Sequence, residues 1–230
     1  MTGYDRYAIY HAPPPGPLAD WAAGWLGWDA AGGRAAAHPA VAGLPRPVAA
    51  LTATPRKYGF HGTLKPPFRL AHGTSAAGLA EATAALAARL APVVLPGMQL
   101  ARLGGFVALI PEGGAAGLTA LAAEVVARLD GFRAPPDAAE TARRRPERLT
   151  PRQRALLDLW GYPHVMEEFR FHLTLTGDLA EDEAEAEATR AALTPVLAPL
   201  LPRPYAVSDL CLFGERAGMF HLLHRYPLSG

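Results

Sequence analysis

A chain of 230 residues, half of them hydrophobic, carries enough apolar material for one large domain or two small lobes around a sizeable core. Its formal net charge of +1 implies no global attraction to nucleic acid or to a membrane surface, so any anion binding has to be local. The single cysteine, Cys211, excludes an intramolecular disulfide. No apolar run is long enough to span a bilayer, and Met1 to Tyr10 lacks the layout of a signal peptide, so a reducing, cytoplasmic setting without a membrane partner is expected.

In chain order, Arg6 to Tyr10 reads as a strand halted by Pro13-Pro14-Pro15, because proline donates no ladder hydrogen bond. Leu18, Trp21, Ala22, Trp25 and Leu26 recur at helical spacing and read as a core-facing helix. Ala30 to Leu51, rich in Gly, Pro and Ala, reads as a long connecting loop.

Next comes Phe60-His61-Gly62-Thr63-Leu64, which returns later as Phe171-His172-Leu173-Thr174-Leu175. A single His-x-Thr triplet is a weak signal; two, each preceded by Phe and followed by Leu, are much less expected from chance. Alternation along a strand puts Gly59, His61, Thr63 and Lys65 on one face, with Phe60, Gly62 and Leu64 opposite. In the second copy Arg170, His172, Thr174 and Thr176 oppose Phe169, Phe171, Leu173 and Leu175. Each strand therefore has one apolar face for a core and one polar, titratable face for a cleft.

The segments downstream of the two motifs also match. After His61 comes a helix candidate, Ser75 to Leu90, and a hairpin, Met98 to Leu103 and Phe106 to Ile110, around Gly104-Gly105. After His172 comes a helix candidate from Glu181 to Leu197, with Glu181, Asp182 and Glu183 complementing its dipole. Strands Tyr205 to Phe213 and Met219 to Tyr226 then turn around Gly218. The expected organisation is one two-lobed domain over 1–230, with repeat units at about 57–112 and 166–230 and a connector at about 113–165.

The connector holds a helical pattern from Leu118 to Leu129 and a second helix, Pro151 to Trp160. Thr150 supplies the cap of the second, Pro151 its first position, Gln153 the capping box and Gly161 the stop. Arg143, Arg144, Arg145, Arg148, Arg152 and Arg154 make a basic run that reads as solvated surface, with a phosphate-binding patch as the alternative.

The paired motifs suggest a site in which His61 and His172 face each other with Thr63 and Thr174 beside them. One imidazole can take a proton from water or a hydroxyl while the other gives one to a leaving oxygen. The threonine hydroxyls can donate to phosphate oxygens, and Lys65 and Arg170, on the same faces by parity, are expected to offset substrate charge. No metal or other cofactor is expected, since neither motif carries a carboxylate or cysteine at ligand spacing and His221 and His224 point to opposite faces of a strand. Cys211, in an apolar run, reads as a buried thiol; His11, His38, His72 and His164 read as surface or capping residues.

At these motifs the chain resembles the 2H phosphoesterase superfamily. Longer phrases, Tyr58 to Phe68 and Trp160-Gly161-Tyr162-Pro163 leading into Phe169-Arg170-Phe171-His172, look like the branch found beside bacterial phosphonate-utilisation genes. The resemblance implies a duplicated α+β fold with two mainly antiparallel sheets facing a central cleft and helices on the outer faces. It also implies metal-independent hydrolysis of a cyclic phosphodiester, with His61 and His172 as the acid/base pair and Thr63 and Thr174 orienting the phosphate. The expected partner is a small phosphorylated substrate such as a ribose cyclic phosphate, and RNA is the less favoured one. The competing reading is a non-catalytic module that holds a phosphorylated metabolite or an RNA end.

Overall fold

The computed structural model describes residues 3–179 and 182–230. The N-terminal part contains β1 (Arg6–His11), α1 (Pro17–Leu26), a small hairpin of β2 (Trp28–Asp29) and β3 (Arg34–Ala35), and α2 (Val48–Leu51). The expected loop after Ala30 thus carries two short elements, and Trp25 in α1 is fully buried with its indole N–H donating to Leu175 O. Next come β4 (Gly62–Phe68), α3 (Ala76–Ala87), β5 (Val93–Leu95), and the hairpin β6 (Met98–Leu103) and β7 (Phe106–Pro111).

The connector holds α4 (Ala116–Arg128), α5 (Ala138–Arg143) and α6 (Pro151–Trp160). In α6 the reciprocal Thr150 and Gln153 caps are both made, and Gly161 closes the helix at φ 71°. The last part contains β8 (Leu173–Thr174), α7 (Glu183–Leu197), β9 (Tyr205–Val207), β10 (Asp209–Arg216) and β11 (Met219–Pro227). Asp182 caps α7 by accepting from Glu185 N; Glu181, expected in the same turn, lies outside the described residues.

The molecule is α+β. The strands that were expected to form two facing sheets are joined edge to edge into one seven-stranded sheet, in the order β11-β10-β1-β4-β8-β7-β6. The join is narrow: β4 and β8 meet at the single pair Gly62↔Leu173. On either side of it the halves are exchanged. β4 lies beside β1 and the C-terminal hairpin β10-β11, whereas β8 lies beside the earlier hairpin β6-β7.

Gly62 follows His61 as Leu173 follows His172, so the crossing pairs corresponding positions antiparallel. A second antiparallel ribbon, β5 with β9, pairs Val94 with Ala206, at nearly the same distance downstream in each half. Antiparallel pairing of corresponding residues gives a local twofold relation, which brings the two His-x-Thr stretches together at the middle of the sheet.

One face of the sheet carries the main core. Ile9, Leu64, Leu109, Leu173 and Leu212 pack there against the apolar stripes of α1, α3, α4 and α7. Around the middle strands, the opposite face is left to the cleft.

Candidate active site

The Gly62↔Leu173 register sets the site. Antiparallel pairing places His61 across from Thr174 and Thr63 across from His172, all on the face away from the core. The cleft beside them, about 570 Å³, is lined by His61, Thr63 and Thr174 together with Tyr10, Tyr58 and Phe106; His172 is not in that lining and stands behind Phe106, ring centroids 5.4 Å apart.

Both histidines are held by the same device. Nδ1 of His61 lies 2.9 Å from Gly59 O, and Nδ1 of His172 lies 2.7 Å from Arg170 O, in each case the carbonyl two residues earlier. A carbonyl can only accept, so Nδ1 carries the hydrogen and Nε2 of the neutral ring is an acceptor. Gly59 sits at φ 71°, where a Cβ would lie 2.7 Å from that of Ala30, so a side chain there is excluded by both backbone and space. The Thr63 hydroxyl donates to His61 Nε2 at 3.2 Å, which fits a neutral ring.

Burial pushes the His61 imidazolium down to about 4, the Gly59 carbonyl working against this and His172 and His11 adding to it. His172 is lowered too, mainly by burial and against the pull of the Arg170 carbonyl. Both rings of the free protein are therefore neutral at pH 7.

The two cations expected beside the histidines are elsewhere. Lys65 is 1% exposed, and its ammonium donates to Asp130 Oδ1 at 3.0 Å and to Val126 O at 3.1 Å, beneath α4. The cause is a register shift: Tyr10 pairs with Thr63 but Ile9 with Lys65, so the extra residue turns Leu64 and Lys65 both inward. Strict alternation fails at that point, and Pro66 and Pro67 take the cleft face instead. Arg170 is exposed and folds back, donating to Glu167 O and Phe169 O. Thr176 does border the cleft, but its hydroxyl is occupied, accepting from Val107 N and donating to Gly177 O.

The charge at the cleft comes from residues that alternation could not reveal. The charged side chains lining it are Arg6, Arg144 and Asp178; Arg6 forms a two-pronged ion pair with Glu215, so the cation without a carboxylate partner among the described residues is Arg144. Its guanidinium lies 4.5 Å from the centre of the Tyr162 ring on the cleft rim. The basic run was the available signal for it. The rest of that run is divided: Arg152 pairs with Glu167, and Arg154 donates to Leu149 O.

Tyr10 was also not singled out by sequence. Its ring stacks on His61 with centroids 3.8 Å apart and planes 24° apart. His11, expected at the surface, is 1% exposed and lies behind the sheet, with Nε2 2.9 Å from the Tyr205 hydroxyl. Burial lowers its imidazolium to about 4. His38 does cap a helix, its Nδ1 meeting Gly24 O and Trp25 O, while His72 and His164 are exposed. Cys211 is buried, and burial raises its thiol well above the ordinary range.

Comparison with known proteins gives three results. A ribose 1,5-bisphosphate phosphokinase PhnN of Janthinobacterium sp. (strain Marseille) is 36% identical over 231 residues, covering 98% of this chain and 51% of that protein. One of Laribacter hongkongensis (strain HLHK9) is 38% identical over 189 residues, 81% of this chain and 43% of that protein. The chain thus spans about half the length of the curated relatives it matches. Among solved structures, E. coli LigT complexed with NADP+ aligns over 100% of both chains at 17% identity and a TM-score of 0.49. A structure described as a phosphoesterase aligns over 99% of both at 19% identity and 0.46. Residues 63–221 match the family model described as a protein of unknown function (DUF1045), and the chain belongs to that family.

Proposed function

We propose that the chain is a phosphoesterase that opens a cyclic phosphodiester of a small sugar or nucleotide by two-histidine acid/base catalysis, without a metal. The observation that carries this reading is that two His-x-Thr stretches meet at the middle of one sheet, beside one cleft, each imidazole held through Nδ1 by a backbone carbonyl so that Nε2 is the proton acceptor. The same stretches carry the resemblance to the 2H superfamily.

In this reading the phosphodiester lies between His61 and His172. One Nε2 takes a proton from water as the water oxygen bonds to phosphorus. The other, protonated on substrate binding, gives its proton to the ring oxygen as the P–O bond breaks, and the product is a phosphomonoester with one freed hydroxyl. Thr63 and Thr174 donate to the non-bridging oxygens. Arg144, standing free of any carboxylate among the described residues, offsets the charge in place of Lys65 and Arg170.

The relatives' name suggests the substrate class. The two lysines of this chain, Lys57 and Lys65, do not complete a Gly-x-x-x-x-Gly-Lys-Ser/Thr phosphate loop. We therefore assign the kinase step to the part of those proteins outside the match. Ring opening of a ribose cyclic phosphate gives a ribose phosphate monoester, the class of compound such a kinase consumes, which fits a role in phosphonate metabolism.

Phosphorus NMR tests this with ribose cyclic phosphates and nucleoside 2′,3′-cyclic phosphates in the presence of a chelator. Wild type should open the ring, and His61→Ala and His172→Ala should each lose about 10³-fold in rate. Turnover that survives both changes sinks the proposal. Binding without turnover by wild type would favour the module that only holds the ligand.

A further inference from the structure

A second pocket, about 480 Å³, adjoins the cleft and shares Arg6, Tyr58, Pro67 and Arg144 with it. Apart from Arg144 the two-histidine reaction does not use it, yet six cationic side chains line it. Its positive side chains fall into two groups. Arg6, Arg69 and Arg133 are committed to Glu215, Glu140 and Asp130. Lys57, Arg143 and Arg144 make no ion-pair contact among the described residues; the pocket's carboxylate, Glu140, is engaged by Arg69 and by Asp137 N, with Arg143 near enough to help hold its carboxyl below the usual range.

Two of the uncommitted cations are nevertheless held in place. The Lys57 ammonium lies 4.8 Å from the centre of the Tyr58 ring, and the Arg144 guanidinium 4.5 Å from that of Tyr162. An aromatic face orients a cation without neutralising it, so the positive potential stays available to a ligand. Three oriented or free cations in a concavity of this size suit a compact dianion rather than a long polyanion, which needs a continuous basic track. The shared wall at Arg144 makes the two pockets parts of one binding region.

We propose that this annex binds a phosphomonoester carried by the same small molecule whose cyclic phosphodiester lies between His61 and His172. The proposal rests on the two-histidine reading of the cleft, and it narrows the substrate to a sugar-sized cyclic phosphate bearing a second phosphate on another hydroxyl.

The test is a matched pair, a ribose cyclic phosphate with and without a phosphate on its primary hydroxyl, assayed with wild type and with the Lys57→Gln/Arg143→Gln double variant. In wild type the second phosphate should raise kcat/KM about tenfold or more, chiefly through KM. In the double variant the ratio between the two compounds should fall to near one. A wild-type ratio of one, or a ratio the double variant leaves intact, overturns the annex. So does a short RNA ending in a 2′,3′-cyclic phosphate that outperforms the doubly phosphorylated sugar. If wild type hydrolyses neither compound, the catalytic reading fails by itself. Calorimetry then decides the annex: tighter binding of the doubly phosphorylated compound, lost in the double variant, upholds it, and equal affinities overturn it.

Discussion

The strands on the two sides of the cleft present the same pair of side chains on different supports. On one side β4 runs for seven residues, and Thr63 has Tyr10 as its neighbour on β1; on the other, β8 has two residues, and Thr174 has Ala108 as its neighbour on β7. Tyr10 covers His61 with a stacked ring, whereas the aromatic contact to His172 is Phe106, with centroids 5.4 Å apart. What the halves share is the Nδ1 bond to the carbonyl two residues earlier and the threonine two residues later. The difference teaches that the imidazole anchor and the hydroxyl are the local requirement, while the strand around them can be long or vestigial.

If both halves act in one proton relay, the comparison should vanish in the kinetics. His61→Ala and His172→Ala should each cost about 10³-fold in kcat, and the double variant little more than either, because residues that act as a unit are not additive. Additive losses across that mutant cycle would mean that the two sides work independently.

The next effect is at the join itself. Gly62 and Leu173 occupy corresponding places, but only Gly62 leaves space for the ring of Phe171, which would lie 2.5 Å from an added Cβ. Gly62→Ala should therefore destabilise the fold by about 1–3 kcal/mol by overpacking, read from denaturant midpoints. Leu173→Ala should cost about 2–5 kcal/mol for the opposite reason, a cavity in the core. Equal tolerance of an Ala at both places would break the contrast between a crowded and a filled position.

On the β4 side a third histidine, His11, lies buried behind the sheet. His11 takes up a proton near 6.5 when unfolded but only near 4 when folded, so below pH 6.5 the unfolded chain binds more protons and stability falls with pH. Between pH 7 and 5 this one residue should remove about 2 kcal/mol. His11→Phe should flatten the stability profile by that amount. An unchanged slope would place the loss elsewhere, with His61 the next imidazole to vary because burial lowers it as far.

Legibility in the sequence followed locality. The α6 caps, the hairpin at Gly104-Gly105 and the buried face of α1 are set by residues a few positions apart, and they lie where propensity and periodicity put them. The four motif residues reach one face because alternation holds from His61 to Thr63 and from His172 to Thr174. Lys65 departs because a bulge depends on the partner strand, which parity cannot foresee. Arg144, Tyr10 and His11 take their places through long-range packing. The exchange of hairpins between the halves is equally non-local, since either pairing satisfies the same strand patterns.

The smallest effect is the one most specific to the comparison. If Tyr10 is what separates the two imidazoles, removing its ring should make them alike. Burial is the largest cause of the lowered His61 imidazolium, and the stacked Tyr10 ring is part of that burial. Tyr10→Ala admits water to that side of His61, so its midpoint should rise from about 4 toward the ordinary histidine value, while that of His172 stays within a few tenths of its wild-type position. Two-dimensional NMR of the imidazole nitrogens against pH reads both at once, and the Nδ1–H resonance reports whether the bond to Gly59 O persists. A His61 midpoint that does not move would assign its depression to the sheet and the Thr63 side of the cleft. In that case the two supports would differ in shape without differing in what they do to the histidine.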